Sequence, residues 1–387
     1  MSLSSASPAH EALTFLPSNQ EIAGLLGPTS RDECSKTEVS VSGRIARALR
    51  DPIADLLTRP SKGFRGQLVT WGYHLSDWNA PPPAETDANR LELCSQVLEQ
   101  LHAASLVVDD IEDESLVRRG EPALHRKYGL PIALNAGNWL YFWPLWRVRE
   151  VTASDPQLEL EIYRLCHEVL IRAHFGQAID VGTAMDTVPR PQVRSVCLSS
   201  IELKSGALMA LALQLGGRVG KASPARMNQL AELGFELGTA LQLFDDVGNF
   251  AGDGDRAMLG PSAVKRLEDL RLKRPSWIWA VAAEVSASDA HYSAFVNAVN
   301  ALPDESGLQA WSAQTDLVRR ARSSASRYLE QVIERVEKDW GSHLRSIPVR
   351  DGFQTEQLKT VEKIRDFAKK LEKSYGGSEN SRNSIRE

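Results

Sequence analysis

LELCSQVLEQLHAASLVVDDIED, residues 91–113, decides the fold. Leu91, Cys94, Leu98, Leu101, Ser105 and Val108 recur at three-or-four-residue spacing, which marks one face of an α-helix. That stripe runs straight into acids. Asp109, Asp110, Glu112, Asp113 and Glu114 crowd six positions, with Arg118 and Arg119 just beyond. Like charges three or four apart on a helix cost roughly 0.2–0.5 kcal/mol per pair, so these carboxylates must face something that offsets the repulsion.

The same construction occurs again downstream. Leu230, Leu233, Leu237, Leu241 and Phe244 form a stripe that ends in LQLFDDVGNF, residues 241–250, where Gln242, Asp245 or Asp246, and Asn249 share the opposite face. A third stripe comprises Val318, Ala321, Ala325, Leu329, Val332 and Val336. Sustained period-two alternation is absent, and no repeat recurs at a fixed period. These patterns predict an all-α single domain of about a dozen helices over residues 41–375. The Ser/Pro/Thr-rich residues 1–40 read as a flexible leader, and residues 376–387 as a solvated tail.

Composition narrows the class. With 42% hydrophobic and 25% charged residues the chain reads as soluble and globular, and a net charge of −5 speaks against a general nucleic-acid binder. No run approaches 18 uninterrupted apolar residues, so no membrane span is expected. A charged n-region followed by an apolar core is missing at the N-terminus, so no secretory signal is expected. Cys34, Cys94, Cys166 and Cys197 are widely spaced and fit a reduced, cytoplasmic compartment.

If the two aspartate pairs face each other across a cavity, they form an oxygen-rich cage. Oxygen donors without clustered Cys or His select Mg²⁺ before Zn²⁺, and Mg²⁺ keeps waters and substrate phosphate in its octahedron. One acidic run alone is ordinarily a solvated helix face. Two of them, each following an apolar stripe, favour a metal site, and neither has the ligand pattern of an EF-hand. Cations supply the other half. RPSKGFRGQLV, residues 59–69, holds Lys62 and Arg65 one turn apart, Arg118 and Arg119 follow the first acids, and Lys204 lies in SSIELKSGALMALALQLGG. A lone Lys in such a helix ordinarily snorkels to solvent. Together these residues can bind two anionic groups, with Arg offering bidentate contacts to phosphate.

HAASLVVDDIEDESLVRRGEPALHRKYGLPIALNAGNWLYF, residues 102–142, resembles the trans-isoprenyl diphosphate synthases, and within them the geranylgeranyl diphosphate synthases of eukaryotic type. The resemblance runs in order from about residue 45 to 280. PSKGFRGQL looks like the family's Gly-Lys-x-x-Arg region, and DDIED with the following RRG looks like its first aspartate-rich motif. FGQAIDVG (175–182) resembles its Gly-Gln-x-x-Asp motif, LKSG its Lys-Thr/Ser site, and LQLFDDVGN its second aspartate-rich motif.

The resemblance implies the all-α isoprenoid synthase fold, antiparallel helices around a central cavity, in a homodimer. It implies that Asp109, Asp110 and Asp113, with Asp245 and Asp246, bind Mg²⁺, three ions per active site, and the allylic diphosphate. Arg118, Lys204 and Gln242 would contact the allylic side, and Lys62, Arg65, His102 and Arg119 would bind isopentenyl diphosphate. Gln177 and Asn249 complete the implied substrate set. Product length would be set below the first motif by Ala104 and Ser105, both small. The next floor would be NWLYFWPLW, where Trp139, Phe142 and Trp143 recur at helical spacing; ordinary core packing is their other reading. With such a floor the product would be geranylgeranyl diphosphate.

Departures from the family pattern are Asn249, where many members have Asp, and KRPSWIWA. The latter offers Lys273 or Arg274 and then Ser276, with Ile278 where Pro is expected. A Gly-Lys pair is missing from AGDGDRAMLGPS. Alternatives are a class I terpene cyclase of the same fold, a synthase making farnesyl or longer products, and a non-catalytic partner subunit. A cyclase has no use for a second diphosphate pocket.

Overall fold

Proline and serine set many of the helix starts. Pro131, Pro144, Pro156, Pro191 and Pro224 each fall in a first helical turn, where the missing N–H costs nothing. Ser18 caps the first described helix in a reciprocal capping box with Glu21, and Ser40 and Ser288 cap two more. The structure, a computed structural model, describes residues 13–26, 40–60, 64–77, 82–251, 266–346 and 352–375.

Two compact units divide the chain. Unit one comprises residues 1–67 and 85–163, and unit two residues 68–84 and 164–387. In unit one the order is α1 (Asn19–Gly24), α2 (Val41–Ile45), α3 (Asp51–Thr58), the start of α4 (Phe64–His74), and α5 (Glu85–Glu112). A small antiparallel hairpin follows, β1 (Val117–Arg118) with β2 (Glu121–Pro122). Then come α6 (Leu124–Lys127), α7 (Leu130–Leu140), α8 (Trp143–Thr152) and the start of α9 (Pro156–Gly182). The core of this unit gathers Ile53, Leu56, Ala103, Ala104, Val107, Leu140 and Trp143.

Part of the segment expected to be a flexible leader is packed there. Phe15, Leu16 and Ile22 are buried, Leu16 belongs to the core cluster, and the Trp143 Nε1–H donates to the Phe15 carbonyl at 2.9 Å. Arg147 lies over the Phe15 ring and pairs with Glu21 at 2.7 Å. Residues 376–387, expected as a tail, lie outside the described residues.

Unit two holds the rest of α4 and α9, then α10 (Arg190–Ile201), α11 (Ala207–Val219), α12 (Pro224–Ala251), α13 (Glu268–Arg271), α14 (Trp277–Val285) and α15 (Asp289–Asn300). It ends with α16 (Ser306–Thr315), α17 (Leu317–Val336), α18 (Ser342–Ser346) and α19 (Gly352–Tyr375). More helices appear than the expected dozen because short π turns, such as Glu202–Gly206 between α10 and α11, divide continuous runs. Four-residue pieces such as Leu124–Lys127 and Glu268–Arg271 are helical too. The stripe on α12 is buried as expected. On α17, Leu317 rather than Val318 joins Ala321, Ala325, Leu329, Val332 and Val336. The C-terminal helix belongs to this unit: Thr360 Oγ1 bonds His74 Nδ1 at 2.8 Å, and Gln357 Nε2 donates to the His74 carbonyl at 2.9 Å.

Arg190–Val219, taken as one helical run, is the single segment among the described residues long and apolar enough to cross a membrane, and 56% of its apolar window is buried inside the fold. A core helix passes the same test. Cys94, Cys166 and Cys197 are buried and outside any disulfide, and burial pushes Cys94 and Cys197 up to about 12. Cys34 lies outside the described residues.

Candidate active site

The first aspartate motif closes α5, and the helix turns its buried face by one residue on the way. Ala104, Val107 and Asp110 are buried, whereas Ser105 and Val108, expected on that face, are half-buried. Small side chains decide it: Ala103 and Ala104 pack in one cluster with Ala133 and Ala136 of α7, so the two helices can approach closely there. Asp110 is consequently only 2% exposed. Arg118 from the hairpin neutralises it, with Nε 2.8 Å from both carboxylate oxygens and a second nitrogen on Oδ1. The same guanidinium lies 3.7 Å from Asp109 Oδ2. Asp109 and Asp113 remain half-buried.

Beside this pair unit one assembles cations. Burial and the guanidiniums of Arg65, Arg119 and Arg118 hold the His102 imidazole well below its ordinary pKa, so it is neutral. Burial also lowers Arg119; Glu99 opposes the shift, and Arg65, Arg118 and Arg59 add to it. Arg119 donates to the Leu56 carbonyl at 3.1 Å, and Arg65 lies 4.9 Å from the centre of the Phe64 ring. Arg65, His102 and Arg119, three of the four residues expected to bind isopentenyl diphosphate, are thus brought together. Lys62, the fourth, lies outside the described residues.

In unit two the Lys204 segment is approached closely by two glycines. A Cβ on Gly176 of α9 would come within 2.8 Å of Leu203 and 2.9 Å of Lys204, and one on Gly238 of α12 within 2.4 Å of the Ser205 carbonyl. That approach places Lys204 Nζ 2.9 Å from Asp180 Oδ2, and Ser205 Oγ 2.9 Å from Gln242 Oε1. Ser200 donates to the other Asp180 oxygen at 3.2 Å, and Arg274 to the Asp180 backbone carbonyl at 3.2 Å. Lys273 pairs with Asp186, so of the two basic candidates it is Arg274 that joins Lys204 and Asp180. Gln177 and Asn249 are both half-buried.

The second aspartate motif is crowded by like charge. Asp246 is buried, accepting from Gln242 Nε2 at 2.8 Å and from the backbone N–H of Trp277, at the start of α14, at 2.6 Å. Burial, then the charges of Asp269 and Asp245, push its carboxyl well above the usual range in spite of those two bonds. Oxygen donors held together against their own repulsion suit a hard divalent cation. Within the described residues no group of three His, Cys, Asp or Glu side chains is already gathered closely enough to hold one. The segment 252–265, which contains most of the departure at AGDGDRAMLGPS, lies outside the described residues.

Ala104 and Trp143 belong to the packed core of unit one, and Trp139 stacks on Trp143 with ring centres 5.5 Å apart. Ser105 Oγ donates to the His102 carbonyl at 2.8 Å. Sequence reasoning missed Asp180, Asp269 and Glu99. Asp180 stands inside the FGQAID motif and could have been paired with the otherwise isolated Lys204; the other two carry no local signal.

Residues 46–305 match the family model described as polyprenyl synthetase. A geranylgeranyl pyrophosphate synthase of Clitopilus passeckerianus is 36% identical over 156 residues, covering 39% of this chain and 43% of that protein. One of Eremothecium gossypii is 30% identical over 202 residues, covering 51% and 59%. The chain therefore spans about half the length of the curated relatives it matches. Among solved structures, a geranylgeranyl pyrophosphate synthase aligns with a TM-score of 0.66 at 16% identity, covering 92% of this chain and 98% of that one. The geranylgeranyl pyrophosphate synthetase of Pyrococcus horikoshii gives 0.63 at 20% identity, covering 94% of each. At such identities the likeness is one of fold, the all-α isoprenoid synthase fold. The family match takes in both aspartate motifs and the Lys204 segment between them, and on it this chain belongs to the polyprenyl synthetase family.

Proposed function

We propose that the chain is a Mg²⁺-dependent prenyltransferase that joins isopentenyl diphosphate to an allylic diphosphate, with geranylgeranyl diphosphate as product. The observation that carries this is the gathering of Arg65, His102 and Arg119 beside Arg118 and Asp110. It is a cationic cluster additional to the aspartate motifs, and an enzyme that ionises a single prenyl diphosphate has no need of it. The relatives named as geranylgeranyl pyrophosphate synthases support the product.

In this assignment Asp109, Asp110 and Asp113, with Asp245 and Asp246, hold Mg²⁺ and the allylic diphosphate. Bound Mg²⁺ supplies neutralisation of the leaving diphosphate. Arg118 and Lys204 stabilise the same charge as the allylic C–O bond breaks and diphosphate leaves with the electron pair. Arg65 and Arg119 hold isopentenyl diphosphate so that its double bond attacks the allylic carbon, and neutral His102 can donate a hydrogen bond without needing a proton from solvent. Loss of a proton from the new carbocation restores a double bond, and the departing diphosphate is a base of suitable charge to take it. The buried Ala104 and the stacked Trp139 and Trp143 support a closed floor for the growing tail.

A second copy of the chain fits the apolar surface of unit one. Leu130 and Leu134 on α7 are exposed, as are Trp146 on α8 and Phe142, 71% exposed, just before it. The test of function is incubation with isopentenyl diphosphate, Mg²⁺ and each of dimethylallyl, geranyl and farnesyl diphosphate, with products separated by chain length. Release of a cyclic hydrocarbon from a prenyl diphosphate alone would overturn the assignment in favour of a cyclase.

A further inference from the structure

Arg59 has no part in the assignment above, yet it is only 5% exposed and all three of its guanidinium nitrogens donate. It follows the last residue of α3. Nε and one terminal nitrogen reach back to Asp55, to Oδ1 at 3.3 Å and Oδ2 at 3.1 Å. The other terminal nitrogen donates to two backbone carbonyls, Arg118 at 2.9 Å and Pro122 at 3.0 Å. Those carbonyls belong to opposite strands of the hairpin, in which Val117 pairs with Pro122 and Arg118 with Glu121. One guanidinium therefore clamps both strands.

The hairpin needs such a clamp. Two strands of two residues are too short to hold a shape unaided. Glu114 and Arg119 also adopt φ of +53° and +54°, a left-handed conformation that side-chain-bearing residues resist. Support comes from α3 throughout. The Leu56 carbonyl accepts from Arg119, and Asp55 takes Lys127 Nζ at 2.9 Å and the Tyr128 hydroxyl at 3.0 Å from the segment after the hairpin. The helix itself is rooted in the core by Ile53, Leu56 and Leu57.

We propose that Arg59, braced by Asp55, is a positioning residue that presets Arg118 and Arg119 for diphosphate. Its kinetic consequences rest on the prenyltransferase assignment; its effect on anion binding does not. Arg59 touches no reacting atom. It fixes the backbone from which Arg118 reaches Asp110 and Arg119 adds its charge beside His102, so its removal acts through them.

The test is a cycle of variants read by calorimetric binding of inorganic pyrophosphate and by steady-state kinetics with both substrates. Arg59→Leu should weaken pyrophosphate binding and raise KM for both diphosphates about tenfold, the worth of one charge-assisted contact per arginine, with a smaller fall in kcat. In an Arg118→Ala/Arg119→Ala background the same substitution should change neither. Arg59→Lys should not rescue, since an ammonium cannot span both carbonyls and Asp55 together. Asp55→Asn, which keeps the carbonyl bonds, should weaken binding about threefold, the smaller share of a brace that acts through Arg59, and serves if Arg59→Leu fails to fold. Equal losses in both backgrounds, or unaltered pyrophosphate affinity in folded Arg59→Leu, would overturn the proposal. Arg59-dependent pyrophosphate binding by a chain that condenses nothing would sustain the positioning role and sink the prenyltransferase assignment.

Discussion

Asp246→Asn should make the ligand-free protein more stable while abolishing turnover. Burial disfavours the charge of this carboxylate, and the charges of Asp269 and Asp245 oppose it further. Asn keeps an oxygen for the Trp277 N–H, so that bond falls from a charge-assisted one, worth about 1.5–3 kcal/mol, to a neutral one near 1 kcal/mol. The amide of Gln242 can turn over to face the new side chain, because its present partner, the Ser205 hydroxyl, can accept as well as donate. Against that loss stands the repulsion removed. Two like charges about 4 Å apart cost about 4 kcal/mol at an effective dielectric constant of 20, and less as they separate, so a few kcal/mol is the order expected. The balance is a gain of about 1–2 kcal/mol, a rise of a few degrees in melting temperature. Differential scanning calorimetry without metal, run beside a product assay with Mg²⁺, reads both halves. A variant that melts several degrees lower, or one that retains turnover, refutes the reasoning. The first result makes the carboxylate part of the scaffold, and the second makes it dispensable to chemistry.

His102 should impose a pH dependence of known sign. Its imidazole binds a proton below its ordinary 6.5 once unfolded but resists one in the fold, so the unfolded chain takes up more protons and stability falls as pH drops through 6.5. Melting curves from pH 5 to 8 should therefore show wild type losing stability relative to His102→Gln below pH 6.5, and parallel curves would contradict the neutral imidazole. Chain length should respond to the floor of unit one: Ser105→Phe should shorten the product toward farnesyl diphosphate, and Trp139→Ala or Trp143→Ala should lengthen it. An unchanged product in all three would place the ruler elsewhere.

The helices and both aspartate motifs were legible because each rests on a local pattern. Leu230, Leu233, Leu237, Leu241 and Phe244 repeat with the helical period, and an acidic cluster at the end of an apolar stripe is conspicuous in one dimension. The chosen face of α5 was less legible. From Leu101 the next turn can bury either Ala104 or Ser105, and the alanines of α7, far along the chain, settle which. The N-terminal segment escaped notice for a similar reason. Phe15, Leu16 and Ile22 are too few to show a period, and what orders them is Trp143 and Arg147. Least legible of all is Arg59. Two of its partners are backbone carbonyls, which every residue has, so no choice of side chain at positions 118 or 122 could reveal them.

Beside the first aspartate motif, unit one gathers cations around His102, and unit two gathers carboxylates around Asp246. In unit one burial, then the charges of Arg65, Arg119 and Arg118, keep His102 neutral, with Asp110 and Glu99 opposing those arginines. In unit two burial, then the charges of Asp269 and Asp245, raise the carboxyl of Asp246. Each cluster costs the ligand-free chain stability, and each is relieved by a ligand of opposite sign. Inorganic pyrophosphate and Mg²⁺, added singly, should therefore each raise the melting temperature, through different residues. A ligand at a hundred times its dissociation constant adds about 2.7 kcal/mol. Arg119→Ala should erase most of the pyrophosphate shift and leave that from Mg²⁺, whereas Asp246→Asn should do the reverse. If one substitution erased both shifts, binding at the two clusters would be obligatorily coupled. Independent electrostatic strain would then be the wrong account of why the clusters carry these charges.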